Sequence, residues 1–247
     1  MESLRAEDVS KNFDGLYAVR NVSLSIRSGE RRAIIGPNGA GKTTLFNLFL
    51  GELKPSTGRI FVFGQDVTSI PVHDRVRLGL ARTFQIMNLI TNLSVLDNVK
   101  LAVQAAMPFR FGLFRPQSAY TNLLDEAQAL LTQWGLWEKR NDWVQDLSCG
   151  QQRRVELIMA LASKPKILML DEPTSGLSQE AATSFLDMVR GLGRDTTVVI
   201  VEHDMDVVFE LADYITVLHN GGVIAEGTKE QIKANPRVKK VYLGEED

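Results

Sequence analysis

Gly36-Pro37-Asn38-Gly39-Ala40-Gly41-Lys42-Thr43 is the stretch on which the reading of this chain turns. It fits G-x-x-x-x-G-K-[ST], a phosphate-binding loop, and its flanks fit as well. Arg31-Arg32-Ala33-Ile34-Ile35 ahead of it reads as a short buried strand. Thr43 to Leu50 behind it reads as a helix, with Thr44 in its first turn and Gly51 as its stop. Glycines let backbone N–H groups wrap closely around a phosphate, and the helix N-terminus adds partial positive charge at the same place. Lys42 supplies a full charge for the β- and γ-phosphates, and the Thr43 hydroxyl suits a Mg²⁺ ligand. The stretch predicts a nucleoside triphosphate site.

Working outward, 247 residues allow one large α/β domain with an insertion, or two small domains. At 44% hydrophobic and 23% charged the chain has the composition of a globular protein with a sizeable core. A net charge of −2 lacks the basic footprint of nucleic-acid binding, so no nucleic-acid partner is expected. Cys149 is the only cysteine, which excludes an intrachain disulfide and suits a reducing compartment. Residues 1–5 lack a signal-peptide core, and no apolar run reaches the roughly 18 residues of a membrane helix. A cytoplasmic chain is expected.

Before the loop, Leu4 to Phe13 reads as a strand, turned by Asp14-Gly15, and Val22, Leu24 and Ile26 alternate with serines in a second one. Phe13 is either a core aromatic at a strand end or a platform on which a purine stacks. After the first helix, Arg59 to Phe63 is a strand, Pro71 to Leu78 a short helix, and Ala81 to Phe84 a strand running into Gln85. The character then changes. Ser94-x-x-Asp97 resembles a capping box that opens a helix through Ala105, and Asn122 to Leu136 is a second amphipathic helix. Between them, Met107 to Tyr120 is irregular and rich in Phe and Arg, suited either to a membrane or partner contact or to packing over its own helices. Consecutive helices in an α/β pattern predict a helical subdomain over 89–163, inserted into a core of 1–88 and 164–247.

Alternation resumes with a helix over Gln151 to Ser163, then Ile167-Leu168-Met169-Leu170-Asp171-Glu172. This is a buried strand ending in two carboxylates, on the edge of a doubly wound sheet where ligands bind. Asp171 is placed to hold Mg²⁺, directly or through water, and Glu172 to orient or deprotonate a water attacking the γ-phosphate. Val199 to Asp204 is a second strand ending at polar residues, and His203 there is able to donate to a γ-phosphate oxygen, or is simply a helix-capping or core histidine. Leu147-Ser148-Cys149-Gly150-Gln151 starts a helix, either as an N-cap or as a second anion site, since the two use the same backbone groups.

Taken together, the phosphate loop, Gln85, Leu147-Ser148-Cys149-Gly150-Gln151, Asp171-Glu172 and His203 resemble, in order and spacing, the ATP-binding cassette ATPases. The resemblance runs essentially the full length. It implies an α/β fold with a RecA-like P-loop NTPase core, an antiparallel β-subdomain and an inserted α-helical subdomain. It also implies ATP with Mg²⁺. Phe13 matches the adenine-stacking aromatic, and Gln85 the Q-loop glutamine, a Mg²⁺ ligand beside Thr43 and Asp171. Ser148 and Gly150 match the signature motif, which closes over the nucleotide of a second ATPase subunit, a copy or a paralogue. His203 matches the switch histidine, and Glu172 the catalytic carboxylate.

Within that family, Ala81 to Gln85, Val201 to Met205 and Val241 to Glu245 are similar to the branched-chain amino acid importers, as is the Met107 to Tyr120 insert. That implies membrane permeases, a periplasmic solute-binding protein and a place on the inner face of the cell inner membrane, with urea or short-amide import, non-transport work and a regulatory switch as alternatives. Three residues depart from the family pattern. Cys149 stands where glycine is usual and weakens the site if the backbone there needs φ > 0. Ser178 stands for a common aspartate, and Met159 for a common arginine.

Overall fold

A computed structural model describes residues 1–83, 89–107 and 117–243. Gln85 and most of the Met107 to Tyr120 insert lie outside the described residues. In chain order the elements open with β1 (Glu2–Phe13), β2 (Leu16–Arg27), β3 (Arg31–Ile35) and α1 (Lys42–Leu50). Next come β4 (Thr57–Val62), β5 (Gln65–Asp66), α2 (Val72–Arg77) and β6 (Leu80–Arg82). The helices α3 (Val95–Ala106), α4 (Gln117–Gln133) and α5 (Cys149–Leu161) follow, then β7 (Ile167–Asp171) and α6 (Gln179–Arg190). The chain continues through β8 (Thr197–Val201), α7 (Met205–Leu211), β9 (Tyr214–His219), β10 (Gly222–Gly227), α8 (Lys229–Ala234) and α9 (Pro236–Leu243). The chain closes on two separate helices, because Pro236 cannot continue the hydrogen-bond ladder of α8. No helix among the described residues is long and apolar enough to cross a membrane.

The chain divides into two compact units, Met1–Leu80 with Lys166–Glu172 and Gly193–Asp247, and Ala81–Pro165 with Pro173–Leu192. The first holds an antiparallel sheet ordered β2-β1-β4-β5 and a second sheet in which β10, β9, β3, β8 and β7 are successive neighbours. β3 runs parallel to β8 and β9, and β7 parallel to β8, with Asp171 opposite Val201. Buried on both faces, β7 and β8 read as unbroken apolar runs, as parallel strands do. The core of this unit gathers Leu4, Ile26, Ile34, Ile60, Met169, Val199 and Val201 around Leu45, Phe46, Leu48 and Phe49 of α1. Fully burying such side chains stabilises by about 1.5–3 kcal/mol each, so α1 is held by packing rather than by its helix propensity.

One charged side chain sits inside this apolar wall. Arg75 of α2 is 1% exposed. Its guanidinium donates to the carbonyls of Leu48 and Phe49 at 2.7 Å, Val67 at 2.6 Å and Ile70 at 2.9 Å. It thereby pairs the Phe49 carbonyl near the C-terminus of α1 and adds a second donor to that of Leu48, which also accepts from the Gly51 N–H at 3.2 Å. Burial pushes its pKa down to about 10, against the pull of Asp66.

The second unit contains α3, α4, α5 and α6, with α3 packed on α4 and α5, and α5 on α6. Ser94 caps α3 by accepting from the Asp97 amide at 3.0 Å, while its hydroxyl donates to the Asp97 carboxylate at 2.7 Å. The buried Asn98 bonds both backbone groups of Ile90, at 2.9 and 3.0 Å. Among the described residues α4 already runs from Gln117, upstream of its sequence-expected start, and ends before Gly135, whose φ of 67° stops it.

Candidate nucleotide site

β3 delivers the chain to the loop and α1 takes it away, so residues 36–41 hang between a parallel strand and a helix N-terminus. Gly36 and Gly41 are glycine for want of room as well as for their positive φ of 155° and 99°. A Cβ on Gly36 would strike the Leu218 carbonyl, and one on Gly41 the Ala18 carbonyl. At Gly39, with φ 80°, the space is open, so there only the backbone conformation asks for glycine. Pro37 and Ala40 close a turn, with Pro37 accepting from the Ala40 amide at 3.1 Å, while Asn38 is exposed. The β9–β10 turn braces the loop from outside. Gly221 N–H donates to the Ala40 carbonyl at 3.1 Å, and Arg20 N–H to the Gly221 carbonyl at 2.8 Å. This brace was not legible in the sequence, since Asn220-Gly221-Gly222 signals only a hairpin.

Lys42 is folded back onto its own loop. Its ammonium donates to the Gly36 carbonyl at 2.7 Å and the Pro37 carbonyl at 3.1 Å. Burial lowers its pKa, and the charges of Glu172 and Asp171 act in the opposite direction. Thr43 is exposed and Thr44 half-buried at the head of α1. Asp171 is buried at the end of β7, and Glu172 follows it with φ 43°, a left-handed backbone that a non-glycine residue adopts at a cost. The Glu172 amide donates to the Val201 carbonyl at 2.9 Å, which fixes that turn against β8. His203 comes off the end of β8 with its side chain 58% exposed, and its Nδ1 lies 3.8 Å from Glu172 Oε1. A hydroxyl and a carboxylate are a sparse donor set, and they fit Mg²⁺, which takes one or two protein ligands and completes its shell with phosphate oxygens and water.

Phe13 is 44% exposed, with the Lys11 ammonium 5.0 Å from its ring centre. The structure therefore removes the core reading and leaves an open aromatic face. Tyr242 of α9, not singled out for chemistry in the sequence, is 37% exposed, and its phenol pKa is pushed up to about 12 by burial, against the pull of the Gly36 amide. Gln85 lies outside the described residues.

In the second unit Ser148 is the N-cap of α5 in a full capping box, its hydroxyl accepting from the Gln151 amide at 3.3 Å while the Ser148 amide donates to Gln151 Oε1 at 3.1 Å. Cys149 is the first residue of the helix and is absent from the residues with positive φ, so the strain expected of a non-glycine there does not arise. Gly150 is helical too, and its reason is proximity: a Cβ there would lie 2.6 Å from that of Ala181 on α6. Ser178 caps α6 through the Ala181 amide at 3.3 Å, work an aspartate also does.

The profile described as ABC transporter matches residues 19–175, and the one described as Branched-chain amino acid ATP-binding cassette transporter matches residues 223–247. The high-affinity branched-chain amino acid transport ATP-binding protein LivG of Salmonella typhimurium is 37% identical over 98% of both chains. The crystal structure of a nucleotide-free ATP-binding cassette from an ABC transporter superposes with a TM-score of 0.85 at 31% identity, over 99% of this chain and 100% of that one. A dimeric ATP-binding cassette in a post-hydrolysis state with ADP and Pi superposes at 0.76 and 28% identity, over 91% and 98%. Loop, carboxylate strand, the neighbouring His203 and full-length likeness converge: the chain belongs to the ABC transporter family and is one of its ATP-hydrolysing cassettes.

Proposed function

We propose that this ATPase powers import of branched-chain amino acids through membrane permeases, from the cytoplasmic face of the inner membrane, fed by a periplasmic solute-binding protein. The observation that carries the solute is the likeness to LivG over 98% of both chains, joined by the match of residues 223–247. In this reading Phe13 stacks on adenine, the loop of residues 36–44 cradles the phosphates with the backbone N–H groups that its non-proline residues carry, and Lys42 leaves its two carbonyls for the β- and γ-phosphates. Thr43, Asp171 and Gln85 hold Mg²⁺, which when bound neutralises charge on the phosphates. Glu172 orients the attacking water and takes its proton as the new P–O bond forms and the bond to the ADP oxygen breaks. His203 donates to the γ-phosphate. Ser148 and Gly150, in the helical subdomain of 89–163, act on the nucleotide of a second subunit, and supporting that pairing is the dimeric relative bound to ADP and Pi.

The test is reconstitution with the permeases and binding protein. ATPase activity stimulated by leucine, isoleucine or valine is expected. Stimulation by urea or short amides alone would reassign the solute, and failure to associate with any permease would end the importer reading.

A further inference from the structure

Glu202 is a carboxylate with 0% exposure, one residue before His203, and the proposed chemistry makes no use of it. Burying a carboxylate costs free energy unless donors surround it, so its position asks for a reason. Two contacts supply one. Its Oε2 accepts the His203 backbone N–H at 3.0 Å, and the same Oε2 lies 3.8 Å from His203 Nδ1. Glu172 Oε1 stands at 3.8 Å from that same Nδ1. The imidazole edge is thus bracketed by two carboxylates at equal distance, one rigid and buried, the other on the left-handed turn after β7. At 3.8 Å neither carboxylate is hydrogen-bonded to Nδ1, but both are acceptors, and a small turn of the ring would bring a proton on Nδ1 onto one or the other. On the next residue, Asp204 caps α7 by accepting from the amides of Asp206 at 2.9 Å and Val207 at 3.4 Å. The backbone of His203 is therefore held on both flanks, and only its ring is free to turn.

We propose that Glu202 is a positioning residue for ATP hydrolysis, fixing the backbone of His203 and competing with the catalytic Glu172 for its Nδ1 edge. The proposal rests on the reading that His203 and Glu172 act at the γ-phosphate. A ring captured by Glu172 would tie up the carboxylate that must meet the attacking water; a ring shared with Glu202 leaves that carboxylate available.

The experiment compares Glu202→Gln, which keeps shape and an acceptor but removes the charge, with His203→Ala, each as the full chain in its hydrolysing assembly. For Glu202→Gln, kcat is expected to fall by about five- to tenfold with the KM for ATP within about twofold, because the effect is on the reacting geometry and not on nucleotide binding. The ¹⁵N resonances of the His203 ring in the nucleotide-free chain are expected to shift, which a merely structural role would not cause. A wild-type kcat overturns the proposal, and so does a lowered kcat with unmoved His203 ring resonances. Should Glu202→Gln fail to fold, Glu202→Asp, with the charge one methylene shorter, is held to the same two readouts. Undiminished turnover in His203→Ala would instead strike the reading beneath, and this proposal with it; lost turnover there with a normal Glu202→Gln strikes this proposal alone.

Discussion

A Cβ placed on Gly150 falls 2.6 Å from the Cβ of Ala181, closer than such atoms come in folded proteins, and so α5 meets α6 where there is no room for a methyl. Gly150→Ala forces the two helices apart and is expected to cost about 1–3 kcal/mol, as overpacking does. Thermal melts of Gly150→Ala, Ala181→Gly and the pair check this. The double variant should recover most of the loss, and equal melts for Gly150→Ala and wild type would show that the helices give way freely.

Cys149→Gly is expected to leave ATP turnover unchanged and to lower stability by at most about 1 kcal/mol, the helix-propensity cost of glycine. Cys149 is already helical and has no strain for glycine to relieve. Steady-state ATPase rates beside melting curves decide; a marked gain in turnover would mean that the residue is strained in the assembled state.

Arg75→Met should be among the most damaging substitutions far from the nucleotide. It removes the guanidinium from the carbonyls of Phe49 and Ile70, while those of Leu48 and Val67 keep the backbone N–H groups of Gly51 and Ile70. At about 1–3 kcal/mol for each buried group left unpaired, a loss of about 3 kcal/mol or more is expected in denaturant unfolding. A midpoint close to wild type would mean that water or a rearranged backbone replaces the guanidinium.

Lys42→Ala should lower ATP affinity by at least about a hundredfold while the fold persists, since it removes the one full positive charge on the loop. Titration with a fluorescent ATP analogue, beside far-UV circular dichroism, checks both halves. A folded variant with wild-type affinity would overturn the assignment of the loop.

Glu172→Gln should bind ATP, fail to hydrolyse it and accumulate as a closed dimer with itself or with a paralogue. Light scattering with ATP, with ADP and without nucleotide reads this directly. Pairing with ATP alone is expected on the proposed mechanism, in which the γ-phosphate is the group that bridges to the Ser148 of the opposite subunit. A variant that stays monomeric in every mixture contradicts the two-subunit mechanism, and undiminished hydrolysis removes Glu172 from the chemistry.

What the sequence made legible was whatever depends on near neighbours in the chain. The loop spacing, the apolar runs of β7 and β8 and the cap at Ser94 are all local signals, and the structure has each in place. The reason for Gly150 was illegible because its neighbour Ala181 arrives by folding. Arg75 gave no sign either, since an arginine in a short polar helix reads as a solvated charge until α1 is packed over it. Glu202 looked like part of a polar strand end, and only the pairing of β7 with β8 sets Glu172 opposite it. Phe13 was ambiguous for the same reason. A strand end is open or closed according to what packs there, and here it is open.

The ammonium of Lys42, bonded to the carbonyls of Gly36 and Pro37, makes the loop a competitor for its own ligand. An entering anion must outbid two hydrogen bonds before it gains the lysine. Gaining a phosphate and releasing the Gly36 and Pro37 carbonyls are thus one event, and the lysine sets a threshold on entry to the loop.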